Sequence, residues 1–263
     1  MQIFSANLIG MVRATFVALI LSTCSAFAQD EAADILSVFG QFDTDVSNEN
    51  LLAALEDAAE AGQPIALWRL GVMYENGEGV APDRTKAFQY FSQLADGHAD
   101  TPPKSLEADI VAQSFLKVGE YYREGVPDAG VPANDDLSRK LWLHAASYFG
   151  DPEAQFKVGQ LYLDEDELGY SPLQSARWLA LASRKGHAAA QATLGNLMFN
   201  GEGIPADPIE GLMWLTVADR NAQGTEDEPW IAELFDQAVS IASQDEREQA
   251  IAAADSLGNR FGG

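Results

Sequence analysis

By residue type, the places where this chain could do chemistry are three histidines, an Asp-x-Asp step, two Gly-x-Gly steps and a column of basic residues. His98, His144 and His187 each stand more than forty residues from the next. Metal sites draw ligands from shorter spacings, so these read as structural histidines at helix ends. Asp164-x-Asp166 with Gly169 echoes the start of a calcium loop. Its fifth position is Leu168, however, and its twelfth, where a bidentate Glu belongs, is Ser175. A solvated acidic turn fits it better. Gly77-x-Gly79 and Gly201-x-Gly203 lack the Lys-Ser/Thr and the preceding strand of a phosphate loop, and read as hairpin turns. No Gly-x-Ser-x-Gly and no nucleophile–base pair is visible in the sequence. The expectation is a protein without cofactor, metal or catalytic site.

The basic column breaks that pattern. Arg69, Lys117 and Lys157 stand two residues before Gly71, Gly119 and Gly159, and Thr193 takes the same place before Gly195. In one reading their stems cover the apolar residue four places on (Met73, Tyr121 and Leu161) and their charged heads lie in water. In the other, the heads form a ladder for a partner on the concave face of a repeat stack, where solenoids usually hold partners. With Glu120 and Tyr121, the set Arg69, Lys117, Glu120, Tyr121 and Lys157 is the candidate partner-binding surface.

The elements that must position this column come from a repeated mould. Ala66 to Ala95 reads as one helical hairpin: Ala66, Leu70 and Tyr74 at four-residue steps, a turn with Gly77 and Gly79, then Pro82-Asp83 opening a second helix with Ala87, Tyr90, Phe91, Leu94 and Ala95 inward. Copies carry Val118-Gly119 with Tyr122, Val158-Gly159 with Tyr162, and Leu194-Gly195 with Met198. The repeat glycines lie 48, 40 and 36 residues apart, a mould with variable insertions that marks a helical solenoid. The long interval combines an insertion at Gly97–Ile110 with an extended turn at Gly125–Pro132. Trp142-Ala146-Gly150 and Trp178-Ala182-Gly186 step by four, and Trp214-Ala218 repeats the first two members, which predicts a tryptophan column packed in the core.

Composition limits the partners. A net charge of −24, from 16 basic and 40 acidic residues, argues against nucleic acid and against a bare anionic membrane surface. Arg13, the apolar run Ala14–Leu21 and Ala26-Phe27-Ala28 read as an export signal cut after Ala28, with Met11 as an alternative start. Leu21-Ser22-Thr23-Cys24 is a weaker lipoprotein-like alternative. Cleavage after Ala28 removes the single cysteine, so the mature chain has no disulfide and no membrane insertion is expected of it. The expected organisation is a signal peptide (1–28), N-terminal capping helices (29–62), four repeats within 63–220 (about 63–99, 111–150, 151–186 and 187–220), and C-terminal capping helices with a tail (221–263). Ile35, Leu36, Val38, Phe39 and Phe42 make one apolar helical face in the first of these caps.

The mould resembles the Sel1-like repeat, an α/α-hairpin family related to tetratricopeptide repeats, from Ala66 to Ala218. Further segments are similar to the ExoR-type periplasmic regulators of exopolysaccharide production: Ile35–Phe39, Ala58–Gly62, Tyr121–Asp128, Ala145–Gln155 and Pro229–Ile231. The resemblance implies an all-α solenoid without enzymatic activity. It also implies a periplasmic protein that holds the periplasmic domain of a membrane sensor histidine kinase inactive, controlling polysaccharide synthesis and motility. A generic repeat adaptor assembling an envelope complex is the alternative, and an envelope hydrolase is the weakest reading.

Overall fold

A computed structural model of the chain describes residues 48–261. The expected export signal and the apolar segment from Ile35 to Phe42 lie outside the described residues. Packing divides the chain after Ala54. Of the first unit, Met1–Ala54, the described part is the beginning of helix α1 (Asn48–Glu60). The second, Leu55–Gly263, holds the repeats.

Four hairpins follow one another in that second unit. They pair α2 (Pro64–Asn76) with α3 (Arg84–Gly97), α4 (Ala108–Glu124) with α5 (Asp135–His144), α6 (Pro152–Leu161) with α7 (Pro172–Ser183), and α8 (Ala188–Asn200) with α9 (Pro208–Ala222). Helices α10 (Glu228–Ile241) and α11 (Gln244–Phe261) then pack on α9. Among the described residues there is no strand, only an isolated bridge between Val126 and Val131 in the extended turn. The chain is an all-α repeat structure, as its mould predicts.

Each hairpin closes on its helix glycine. A Cβ on Gly71 would stand 2.5 Å from the ring of Phe91, one on Gly119 2.6 Å from Trp142 Cδ1, and one on Gly159 2.9 Å from Leu179. One on Gly195 would stand 2.7 Å from the Gly211 carbonyl. The first helix therefore lies directly on the second, with no room for a side chain between them. The second helix answers with a small residue at a matching position: Ala87, Ser138, Ser175 and Gly211, all buried.

The turns are fixed at both ends. Gly77 and Gly201 end their helices at φ 75° and 69°, a left-handed geometry that glycine adopts without strain. At the far end Asp83, Asn134 and Asp207 cap the second helices, accepting from the N–H three residues on at 3.0 Å each. The N–H of each capping residue, including Ser171, donates to the carbonyl of Tyr74, Tyr122, Tyr162 or Met198. That bond survives even where the turn lengthens. The caps fall twelve residues after the helix glycine in three repeats and fifteen in the second, whose extra three residues form a 3₁₀ turn (Pro127–Ala129) closed by the Val126–Val131 bridge.

The tryptophans do not form the single column expected of them. Trp142, not its neighbour, lies on Gly119, as Phe91, Leu179 and Leu215 lie on Gly71, Gly159 and Gly195. Trp178 and Trp214 stand one position earlier, in register with Tyr90 and Leu141. Trp142 and Trp214 are buried, whereas Trp178 is only half-buried. The four-residue step from Trp142 to Ala146 matches the later copies only because a π-helical turn, Ala145–Phe149, adds one more residue before Gly150. Lys185, just past the end of α7, donates to the Gly150 carbonyl that ends this turn.

Candidate functional site

The basic column falls on the first helices, and acidic residues interleave with it. Arg69 of α2 pairs with Glu78 at 2.7 Å. Asn76 donates to the same carboxylate, and its hydrogen bond, with Arg69 beside it, holds Glu78 below the ordinary carboxylate pKa against a small cost of burial. Lys117 of α4 reaches back to Glu75 of α2 at 3.0 Å and lies 3.8 Å from Glu120 on its own helix. Lys157 of α6 reaches back to Glu120 at 3.2 Å and meets Glu153 one turn earlier at 3.4 Å. Glu153 in turn meets His187, at the start of α8, at 2.8 Å.

The result is a chain of alternating charge, Glu75–Lys117–Glu120–Lys157–Glu153, which His187 extends by a hydrogen bond into the fourth repeat. It is not a stripe of free positive charge. Thr193, the fourth member of the column, turns its hydroxyl to the Ala189 carbonyl and takes no part. His187 ends the chain with a defined tautomer. Its Nδ1 accepts from the Ala190 N–H at 3.1 Å, so its Nε2–H donates to Glu153. That bond leads in holding the Glu153 carboxyl below its usual range against the cost of burial, with Lys157 adding to it.

Tyr121 anchors the ladder to the core. Its ring is buried among Phe88, at 5.8 Å, and Phe91, at 6.4 Å, and its hydroxyl donates to Glu75 at 3.2 Å. Burial pushes its phenol well above the ordinary range, and the Glu75 charge and hydrogen bond add to the effect. Tyr121 is thus a neutral hydrogen-bond donor that orients Glu75 toward Lys117. Of the five residues singled out by sequence, Lys117, Glu120, Tyr121 and Lys157 share one connected network, whereas Arg69 makes a separate pair with Glu78.

A second cluster, missed by sequence reasoning, ties the turns. Glu167, in the turn of the third repeat, accepts from Arg123 of α4 and from Arg139 of α5, the latter at 2.7 Å. Burial alone would raise the Glu167 carboxyl, but the two guanidinium hydrogen bonds outweigh it and the carboxyl lies below its usual range. Arg123 and Lys157 also lie over the Trp142 ring, at 4.9 and 5.2 Å from its centroid. Trp142 thus links the helix glycine Gly119, the ladder and the turn cluster. The signal for this cluster was an acidic turn facing two basic residues of the preceding repeat, but nothing in the spacing shows that they meet. Asp164, in the same turn, accepts from the Asp166 N–H at 2.9 Å, an ordinary turn contact. Among the described residues no group of three or more His, Cys, Asp or Glu side chains is placed to hold a metal ion.

Helical hairpins stacked through glycine contacts, with charge pairs running from one repeat to the next, define a helical-repeat protein. The Sel1 repeat model matches residues 64–98, 116–147, 152–187 and 188–218, and the chain belongs to the Sel1 repeat family. It is 34% identical over 188 residues to an exopolysaccharide production negative regulator of Rhizobium leguminosarum bv. viciae, covering 67% of each chain. It is 32% identical over 203 residues to a protein of the same description from Rhizobium meliloti (strain 1021), covering 77% of this chain and 73% of that one. Among solved structures it is similar to a Sel1 repeat protein from Oxalobacter formigenes, with a TM-score of 0.60 at 20% identity over 78% of this chain and 75% of that one. That likeness supports the fold alone. No helix among the described residues is long and apolar enough to cross a membrane.

Proposed function

We propose that this protein is a periplasmic negative regulator of exopolysaccharide production, acting by binding a protein partner rather than by catalysis. The observation that carries the reading is its identity of 32–34%, over two thirds or more of the chain, with two relatives that bear that description. In the fuller form of the proposal, the chain is exported by a cleaved signal, and its partner is the periplasmic domain of a membrane sensor histidine kinase. Binding holds the kinase inactive and so restrains polysaccharide synthesis and sets motility.

Of the five residues singled out, Arg69, Lys117, Glu120 and Lys157 are the surface proposed to meet that partner; Tyr121 is buried and supports it from beneath by orienting Glu75. The charges of that surface are mutually neutralised and partly exposed. A partner would therefore read an alternating pattern and exchange pairs with it, rather than be drawn to bare positive charge. The organisation proposed with this reading keeps four repeats between N- and C-terminal capping helices.

The test is a deletion strain combined with a pull-down of periplasmic domains by the exported chain. The proposal expects increased exopolysaccharide on deletion and recovery of a sensor-kinase domain. Unchanged polysaccharide output, or recovery of envelope enzymes alone, would replace regulation with a generic adaptor role.

A further inference from the structure

Compared repeat by repeat, the outward face of the second helices departs from the pattern at one place. Positions fourteen, eighteen and twenty-two after the helix glycine, corrected for the longer turn of the second repeat, carry Thr85, Gln89 and Gln93 on α3 and Asp136, Lys140 and His144 on α5. Both sets are polar, and Gln89, Gln93, Asp136 and Lys140 are exposed, while the His144 ring packs on Phe115, Tyr148 and Phe149. On α9 the same positions carry Ile209, Met213 and Val217, and none of the three is exposed; α10 and α11 pack on this helix. On α7 they carry Leu173, Arg177 and Leu181, which have the apolar character of the covered helix but not its cover. Leu173 is 52% exposed and Leu181 41% exposed, and Tyr170, two residues before the helix, is 55% exposed.

Four-residue spacing stacks Leu173, Arg177 and Leu181 on one stripe of about 12 Å. Arg177 at its centre is exposed and makes no ion pair among the described residues. Lys104, Lys140 and Arg184 are likewise without an ion pair, but Lys140, at the same position of α5, stands between Asp136 and His144, whereas Arg177 stands between two exposed leucines. An unpaired guanidinium between two exposed leucines, in a chain of net charge −24, presents a defined chemistry: apolar, cationic, apolar.

We infer that the outer face of α7 is a docking surface for an amphipathic helix of a partner protein that presents a carboxylate between two apolar residues. This rests on the protein-binding part of the function proposed above and not on the identity of the kinase. A second copy of the chain fits poorly, because two-fold pairing of the stripe sets Arg177 against Arg177 between two strongly negative molecules. A membrane surface fits poorly as well, because anionic headgroups repel a chain of this charge. A helix laid along α7 buries both leucines and supplies the missing anion, which is the helix-in-groove mode of recognition.

The experiment uses the full mature chain and two synthetic helical peptides. They are identical except that one carries Leu, Glu, Leu at four-residue intervals and the other Leu, Lys, Leu. The Glu peptide is expected to bind about tenfold or more tightly than the Lys peptide, a difference that Arg177→Glu inverts. Leu173→Ser with Leu181→Ser should abolish binding with only a small lowering of the thermal melt, since each side chain is already about half exposed. Four results would overturn the inference: neither peptide binds; binding survives the double serine variant; sedimentation shows a wild-type dimer that the double variant dissolves; or the chain adheres to lipid vesicles through this stripe. Peptide binding without recovery of a kinase domain removes the kinase reading and leaves the surface standing. Kinase recovery without peptide binding does the reverse.

Discussion

Gly119→Ala tests the idea that the hairpins are set by helix glycines, and the second repeat gives the sharpest case. A Cβ there would lie 2.6 Å from Trp142 Cδ1 and closer still to Nε1. Trp142 is buried and donates from Nε1 to the Leu116 carbonyl at 3.2 Å. Its rigid indole cannot turn aside as a leucine can. Overpacking should cost about 1–3 kcal/mol. The weakened indole hydrogen bond adds about 0.5–1.5 kcal/mol, while alanine's better helix propensity returns about 0.5–1 kcal/mol. The net loss is about 2 kcal/mol, within a span of about 0.5–4 kcal/mol, or roughly 4–8 °C in Tm for a domain of this size. Two controls bracket it. Gly159→Ala meets Leu179 at 2.9 Å, a flexible side chain, and should lose less. Gly97→Ala meets nothing within 4 Å and should melt at or slightly above the wild type. Circular-dichroism melts and urea titrations of the three variants read the order directly. A Gly119→Ala protein as stable as the Gly97→Ala protein would refute the close-packing argument.

Other outcomes can be checked with the same preparations. Glu167→Gln keeps the shape of the turn but removes the charge shared by Arg123 and Arg139, and should cost about 1–3 kcal/mol in urea titrations at pH 7. The Glu153 and Glu167 carboxyls lie below the 4.5 of an unperturbed Glu, so the stability they contribute is complete above that value and lost as pH falls through their folded pKa values. A stability–pH curve should therefore steepen below about pH 4.5 in the wild type and less so in Glu167→Gln. Asp151 behaves oppositely: burial raises its carboxyl against the Ala154 N–H bond, so its charged form is a liability that is relieved as pH falls through the raised value. Asp151→Asn, which keeps the helix cap, should match or exceed wild-type stability at pH 7 by thermal melt. Lys117→Met should move stability by no more than about 1 kcal/mol, because its pairs are partly exposed, so any large loss of partner affinity in a binding titration would be a direct effect on the ladder.

The hairpins themselves were legible because the signals that make them are local. A capping Asp83, a turn glycine and a helix glycine each act within a few residues, and each sits where the sequence reading places it. The tryptophans show where such reading fails. Trp142, Trp178 and Trp214 share a four-residue step to alanine, yet Trp142 stands eight residues after the residue that caps its helix and the other two stand seven, so Trp142 falls in another column. A step between two residues does not show where along the helix the pair begins.

The ladder was half legible for a related reason. Its lysines recur at one position of the repeat and so form a visible column. Their partners do not, since Glu75 stands four residues after its helix glycine and Glu120 only one. The positive half of the pattern is periodic while the neutralising half is not, so the column alone suggests a charged binding stripe where the chain has alternating pairs. The same logic separates α7 from α9. Both carry apolar residues on the outward stripe, and the sequence gives no sign that two C-terminal helices pack on one of them and leave the other uncovered. In a stack of near-identical hairpins, fold is written in what repeats. What distinguishes one face from the next depends on contacts between copies, and for this chain the exposed leucines around Arg177 are one such place.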